Sequence, residues 1–239
     1  MNRIWIIAKR ELNSFFDSLI AYILLIAFLG FSGFFTWMSS NADIFYIKQA
    51  DLSVFFGVAF WTLFFFIPAL TMRQLAEEKK TGTIELLLTK DVTDQQLVMG
   101  KFLACFLLVV IALAFTLPYY VTVAKLGNID HGATICGYFS LLLMSAAYIS
   151  IGLFASSITN NQIVAFLLAL LIGIFFHFLF DVIAGGMTGF MGELFDNLSL
   201  RQHFESMKRG VVDTKDLVYF FSIIAIGILL SVQIIAKRA

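Results

Sequence analysis

Phe102-Leu-Ala-Cys-Phe-Leu-Leu-Val-Val-Ile-Ala-Leu-Ala-Phe-Thr-Leu-Pro-Tyr-Tyr-Val-Thr-Val-Ala124 runs without one charged residue. A helix rises about 1.5 Å per residue, so about 20 apolar residues cover the hydrocarbon of a bilayer. Five more stretches qualify or come close: Leu19–Met38, Val54–Met72, Tyr138–Ser157, Ile163–Val182 and Leu217–Ala236. None contains Lys, Arg or Glu, and the acids within them stay near an end, as Asp181 does. The first is too long for a signal-peptide core, lacks a small-x-small exit and follows 18 residues of different character. The pattern predicts an all-α polytopic membrane protein of six transmembrane helices, forming one domain over residues 1–239.

Composition agrees. Hydrophobic residues make up 60% and charged residues 13%, against about 45–50% and about 25% in soluble domains. With 28 Phe and only 2 Pro the chain is the opposite of a disordered one. Sixteen basic and sixteen acidic residues cancel, leaving no global field for nucleic acid. Two Cys supply neither a disulfide framework nor a four-ligand zinc site.

Basic residues orient the crossings. An even number returns both termini to one side, which holds Arg3, Lys9, Arg10, Arg73, Lys79, Lys80, Lys90, Lys101, Lys237 and Arg238, ten of sixteen. That side is expected to be cytoplasmic. Trp37, Tyr119, Tyr120 and Tyr138 fall near the expected outer interfaces, where amphipathic rings settle.

Three segments outside the membrane carry local signals. Residues 2–18 form an amphipathic pattern, with Ile4, Trp5, Ala8, Leu12, Phe15 and Phe16 on one arc. Arg3, Lys9, Arg10, Asn13 and Asp17 lie on the other, and Ile6 and Ile7 spoil the polar face. This predicts an interfacial helix with its basic face toward headgroups. Between the second and third crossings, the run Glu77–Lys80 is expected to extend the second helix into water, Thr81-Gly82 to break it, and Gly82 to take positive φ. Thr83 then caps a short helix holding Ile84, Glu85, Leu86, Leu87 and Leu88, whose apolar side must meet a membrane surface or another protein. Thr93-Asp-Gln-Gln96 reads as a capping box opening the third crossing.

The third segment is the long loop 183–216. Gly185, Gly186, Gly189 and Gly192 point to tight turns or a re-entrant hairpin, which needs cover from protein or water. Ser199-Leu-Arg-Gln202 reads as a second capping box, Leu200, Phe204 and Met207 share one face, and Gly210 suits the C′ position. These signals predict a short amphipathic external helix, with His203 packed near the Phe204 face.

Several chemistries are excluded by motif. There is no G-x-x-x-x-G-K-[ST] loop; Gly100-Lys101 is followed by Phe102. ATP chemistry would therefore need another chain. There is no G-x-S-x-G elbow and no H-E-x-x-H. No catalytic residue or metal ligand set emerges. His177 and Asp181, four apart near the outer end of the fifth crossing, form a candidate intramembrane polar pair. They can be a structural pair or a proton relay. Asn197-Leu-Ser199 matches a glycosylation acceptor, but capping explains Ser199 more simply. Ala146/Ser150 and Gly152/Ser156 on the fourth crossing suit close helix packing.

A family resemblance rests on four stretches. Lys9-Arg-Glu-Leu-Asn-Ser-Phe-Phe-Asp-Ser-Leu-Ile-Ala-Tyr22, the stretch Glu77–Leu88 with Gly82-Thr-Ile-Glu-Leu-Leu-Leu, and Val98-Met-Gly-Lys-Phe-Leu-Ala104 resemble ABC-2 type exporter permeases. Ser199–Asp213, followed by Asp216-Leu-Val-Tyr-Phe220, is similar to a subgroup that includes gliding-motility-associated permeases. The chain departs at Lys90-Asp91, where the family often has Ser-Pro.

The resemblance implies an N-terminal connector helix and an ATPase-coupling helix within 73–101, with Glu77, Glu78, Thr81, Gly82, Thr83 and Ile84–Leu88 as its contact. It also implies external helices before the sixth crossing, with Ser199, His203, Phe204, Gly210 and Asp213 at an external gate. Two permeases and two ATPase subunits would make one transporter in a bacterial cytoplasmic membrane, with ATP and magnesium held by the partner and no cofactor in this chain. The residues leave two other classes open: a proton-coupled secondary transporter using His177 and Asp181, and a membrane scaffold that recruits an ATPase without transporting. The lack of deep charge in the crossings favours an amphipathic or lipid-like cargo over a small ion.

Overall fold

The computed structural model describes residues 3–38, 50–83 and 92–237. Among these residues every regular element is helical, and six spans are long and apolar enough to cross a membrane. They are Ile20–Trp37, Ser53–Thr81, Asp94–Leu126, His131–Ile158, Gln162–Gly186 and Thr214–Ala236. In order, the helices are α1 (Arg3–Asp17), α2 (Ile20–Trp37), α3 (Ser53–Thr71), α4 (Ala76–Thr81), α5 (Asp94–Ala114), α6 (Leu117–Leu126) and α7 (His131–Ile158). Then follow α8 (Gln162–Ile174), a π-helical turn (Phe175–Leu179), α9 (Phe180–Gly186), α10 (Phe190–Asp196), α11 (Leu200–Lys208) and α12 (Thr214–Ala236). Six crossings return the chain to the side it began on. We call that end of the bundle proximal and the other distal.

Caps set several boundaries. The Thr93 box forms: Thr93 Oγ1 accepts from Gln96 N and Gln96 Oε1 accepts from Thr93 N, both at 3.3 Å. It starts α5 well before the apolar run does. Pro118, which has no N–H to donate, falls at the start of α6 and divides the third span. Asp130, Asn161 and Asp213 accept backbone N–H groups at the starts of α7, α8 and α12.

The fourth span, α7, is the mast of the bundle and the most buried of the six. Small residues let its neighbours approach. A Cβ on Gly152 would lie 2.0 Å from Thr71 Oγ1 of α3, and one on Gly137 would lie 2.5 Å from the Phe56 ring. On α12, a Cβ on Gly227 would meet Ser150 Oγ of α7 at 2.7 Å. Lipid tails are as apolar as leucine, so close packing and interhelical hydrogen bonds must hold such a bundle. The distal aromatics pack on one another: Trp37 and Phe55 both meet Tyr119 edge-on at 5.8 Å, and Tyr138 lies against Phe55 and Phe56.

The first helix corrects one expectation. α1 forms, but its buried residues are Ile7, Ala8 and Phe15, while Trp5 and Ile6 are exposed. Ile7, expected on the polar side, seats on α5 where Gly100 leaves room; a Cβ there would lie 2.6 Å from Ile7 Cγ2. The helix is turned because Glu11 faces inward toward Lys101, 3.6 Å away. The apolar arc alone did not contain that charge pairing.

In the loop 183–216, α9 and α10 form a short helical hairpin with Gly189 at φ +72° between them. α11 forms with Leu200, Phe204 and Met207 fully buried, and Gly210 follows its C-cap at φ +91°.

Candidate functional site

Two polar centres occupy the two ends of the bundle, and a histidine sits between them. The proximal centre begins where α3 ends. Pro68 lies inside α3, and the chain turns over Met72–Leu75 before α4. Broken backbone at membrane depth needs new hydrogen-bond partners. Ser156 of α7 supplies them. Its Oγ accepts from Leu75 N at 3.1 Å and Ala76 N at 3.0 Å, and donates to Met72 O at 2.9 Å. One donated and two accepted bonds use the full capacity of a hydroxyl. Lys79 Nζ donates to Ser157 O alongside.

The other side of α4 is tied by charge. Lys101, 1% exposed, donates to Glu78 Oε1 at 2.8 Å and lies 3.6 Å from Glu11 Oε1. Arg10 of α1 meets Glu11 at 2.5 Å and approaches Glu78 at 3.8 Å. Arg73 pairs with Glu77 at 3.1 Å. The expectation that Glu77–Lys80 simply projects into water is therefore corrected. α4 is folded against the bundle, because a buried ammonium on α5 draws Glu78 inward and a carbonyl on α7 takes Lys79.

Gly82 ends α4 at φ +69°, the left-handed conformation expected of it, and its N–H faces Glu78 O and Lys79 O. Thr81 Oγ1 donates to Glu77 O at 3.0 Å and shares a 3.0 Å hydrogen bond with Thr83 Oγ1. The expected contact residues Ile84, Glu85, Leu86, Leu87 and Leu88 lie outside the described residues.

The distal centre joins α11 to α12. His203 is buried; its Nδ1 lies 2.6 Å from Asp216 Oδ1 and its Nε2 lies 3.0 Å from Asn197 O. A carbonyl only accepts, so the contact with Asn197 O takes its hydrogen from Nε2. The ring stacks on Tyr219 with centroids 4.0 Å apart. The expected surface histidine is thus an interhelix pin. Asp213 caps α12, and Phe204 packs on Phe60 at 4.5 Å. The second capping box does not form. Ser199 holds the N-cap position, but its buried Oγ has no partner, and Gln202 Nε2 donates to Asp196 at 3.0 Å instead.

The structure does not join His177 to Asp181. His177 is buried on the π-helical turn between Phe60 and Phe64, with ring centroids at 4.2 and 4.5 Å, and Nδ1 is 2.5 Å from Tyr148 OH. Asp181 pairs with Arg201 of α11 at 3.3 Å. Each group has found a partner from a different element. Among the described residues no three His, Cys, Asp or Glu side chains converge on a metal position.

The centres lie at opposite ends of a tightly packed six-span bundle, and the proximal one braces the segment after the second span. Comparison of the sequence with known families matches residues 36–224 to the ABC-2 family transporter proteins. The chain belongs to this family. A search of curated proteins returns no match. As an ABC-2 family member the chain is a multi-pass transmembrane permease. The matched stretch includes Glu78, Lys101, Ser156, His177, His203 and Asp216, whereas α1, with Arg10 and Glu11, precedes it. Sequence reading missed Glu11, Lys101 and Ser156 as site residues. Glu11 beside Arg10, and a lysine adjoining the longest apolar run, were the available signals.

Proposed function

We propose that this permease is the membrane subunit of an ATP-driven exporter, moved by separate ATPase subunits that engage the segment beginning at Gly82. The observation that carries this reading is the double brace on α4, to α7 through Ser156 and to α5 and α1 through Glu78. A push delivered at Thr83 passes into three helices at once rather than being lost in a loose loop. The proximal end is then cytoplasmic, in keeping with ten of sixteen basic residues on that side. Two copies of the ATPase would hold ATP and magnesium, and a second permease would complete the path between two solid bundles. The tail Ser199–Phe220 resembles that of gliding-motility-associated permeases, and this supports reading the chain as one of that subgroup.

A proton relay through His177 and Asp181 has less to support it, since the two groups take different partners. A scaffold that binds an ATPase without transport differs only in its last step.

The test is co-purification and coupled turnover in liposomes. The isolated permease should hydrolyse no ATP, lacking a phosphate cradle; the complex should. Gly82→Val puts a β-branched residue at φ +69°, a strained conformation, and should leave assembly intact while separating hydrolysis from transport. Robust turnover by the permease alone, or transport with no ATPase present, would refute the reading.

Sidedness has its own check. A single cysteine at Lys208 should label from outside intact cells and one at Lys80 should not. The reverse pattern would invert the orientation.

A further inference from the structure

A cavity of about 570 Å³ opens at the proximal end between α1, α4 and the start of α5. Its charged lining is balanced: Arg10, Arg73 and Lys101 against Glu11, Glu77 and Glu78. Charge alone therefore recruits nothing. Unmet hydrogen bonds do. Gln74, 5% exposed, lines the cavity with its Oε1 unpartnered, and Glu78 Oε2 is buried without a partner as well. Both are acceptors, four residues apart on the same wall, and buried acceptors without donors are rare and unfavourable.

The existing cations are engaged elsewhere. Lys101 holds the other oxygen of Glu78, Arg73 holds Glu77, and Arg10 is bonded to Glu11. What fits is a group with several N–H donors on a stem long enough to reach inside. A guanidinium or an ammonium on a side chain meets that description.

Thr81 and Thr83, both exposed, line the cavity where the chain leaves α4 for the coupling segment. An occupant there comes from whatever docks on that segment. A phosphoethanolamine lipid also offers an ammonium, and a lipid adduct on a cross-linker at Thr81 would reveal it.

We propose that this cavity is the socket for one arginine or lysine side chain of the ATPase subunit. The inference rests on the ATP-coupled reading above and adds the chemistry of the contact.

The experiment uses the permease purified with its co-purifying ATP-binding subunit. Gln74→Leu removes an unmet acceptor, so the permease alone should melt at the same or a higher temperature while its affinity for the ATPase falls at least tenfold. Gln74→Lys should weaken binding further, by filling the socket with its own cation. Gln74→Glu should hold or raise affinity. A purely structural Gln74 would instead show stability and binding falling together.

A photo-cross-linker in place of the exposed Thr81 identifies the occupant independently of those variants. The expected adduct lies within a few residues of an arginine or lysine of the ATPase. Adducts confined to residues 84–91 of the same chain, or to a lipid, would overturn the proposal, as would affinity indifferent to Gln74. If no ATP-binding subunit co-purifies, the functional reading fails first and the socket with it.

Discussion

Lys101→Met is expected to destabilise the permease by about 3–5 kcal/mol, the usual cost of removing one partner from a buried ion pair. The Lys101 side chain is 1% exposed, and those of Glu78 and Glu11 are 17% and 13% exposed, so little water remains to screen the loss. The penalty comes from the carboxylates left behind, which Arg10 reaches from only one side. Lys101→Met combined with Glu78→Met should therefore recover part of the loss, because an apolar pair of similar volume replaces a charged one. Detergent-titrated unfolding of the single and double variants measures the difference. A double variant that falls by the sum of its two singles would show that no energy resides in the pair.

The six spans were legible because a bilayer imposes a length that a run of apolar residues either meets or does not. Local signals held where all their partners are local. Gly82 takes positive φ within its own turn, and Thr93 and Gln96 close a box spanning four residues. Gly210 likewise ends α11 at positive φ.

Signals failed where another element made a better offer. Ser199 and Gln202 have the spacing of a capping box, yet Asp196 takes Gln202. His177 and Asp181 have the spacing of a helical pair, yet Tyr148 and Arg201 take them separately. Ile7 lies on the wrong arc until Gly100 and Lys101 of α5 are set beneath α1. In each case the spacing described one helix, while the decision lay between two. The candidate site was half legible for the same reason: Gly82 marks where α4 ends, and nothing near it in the chain announces Ser156.

Ser156→Val should be strongly damaging. It removes the acceptor for Leu75 N and Ala76 N and the donor to Met72 O, across separations of 80 to 84 residues. A buried N–H without a partner costs about 1–3 kcal/mol, so two cost about 2–6 kcal/mol. The valine methyls add crowding beside Gly152, where a Cβ would already lie 2.0 Å from Thr71 Oγ1. Ser156→Ala separates the two contributions. It loses the same bonds without the added bulk, and a water admitted to the space would return part of them. Ser156→Thr keeps the hydroxyl and should lose least. The order Thr, Ala, Val in falling unfolding free energy is the signature of a hydroxyl that closes the break after α3. The functional readout is sharper still, because α4 would remain attached to α5 and α1 through Glu78 while held to α7 by Lys79 and Ser157 O alone. In reconstituted complexes, Ser156→Ala should then bind ATPase normally and hydrolyse ATP, yet transport less per ATP consumed. Equal transport per ATP in the Ser156→Ala and parent complexes would mean that the Ser156 brace carries none of the force.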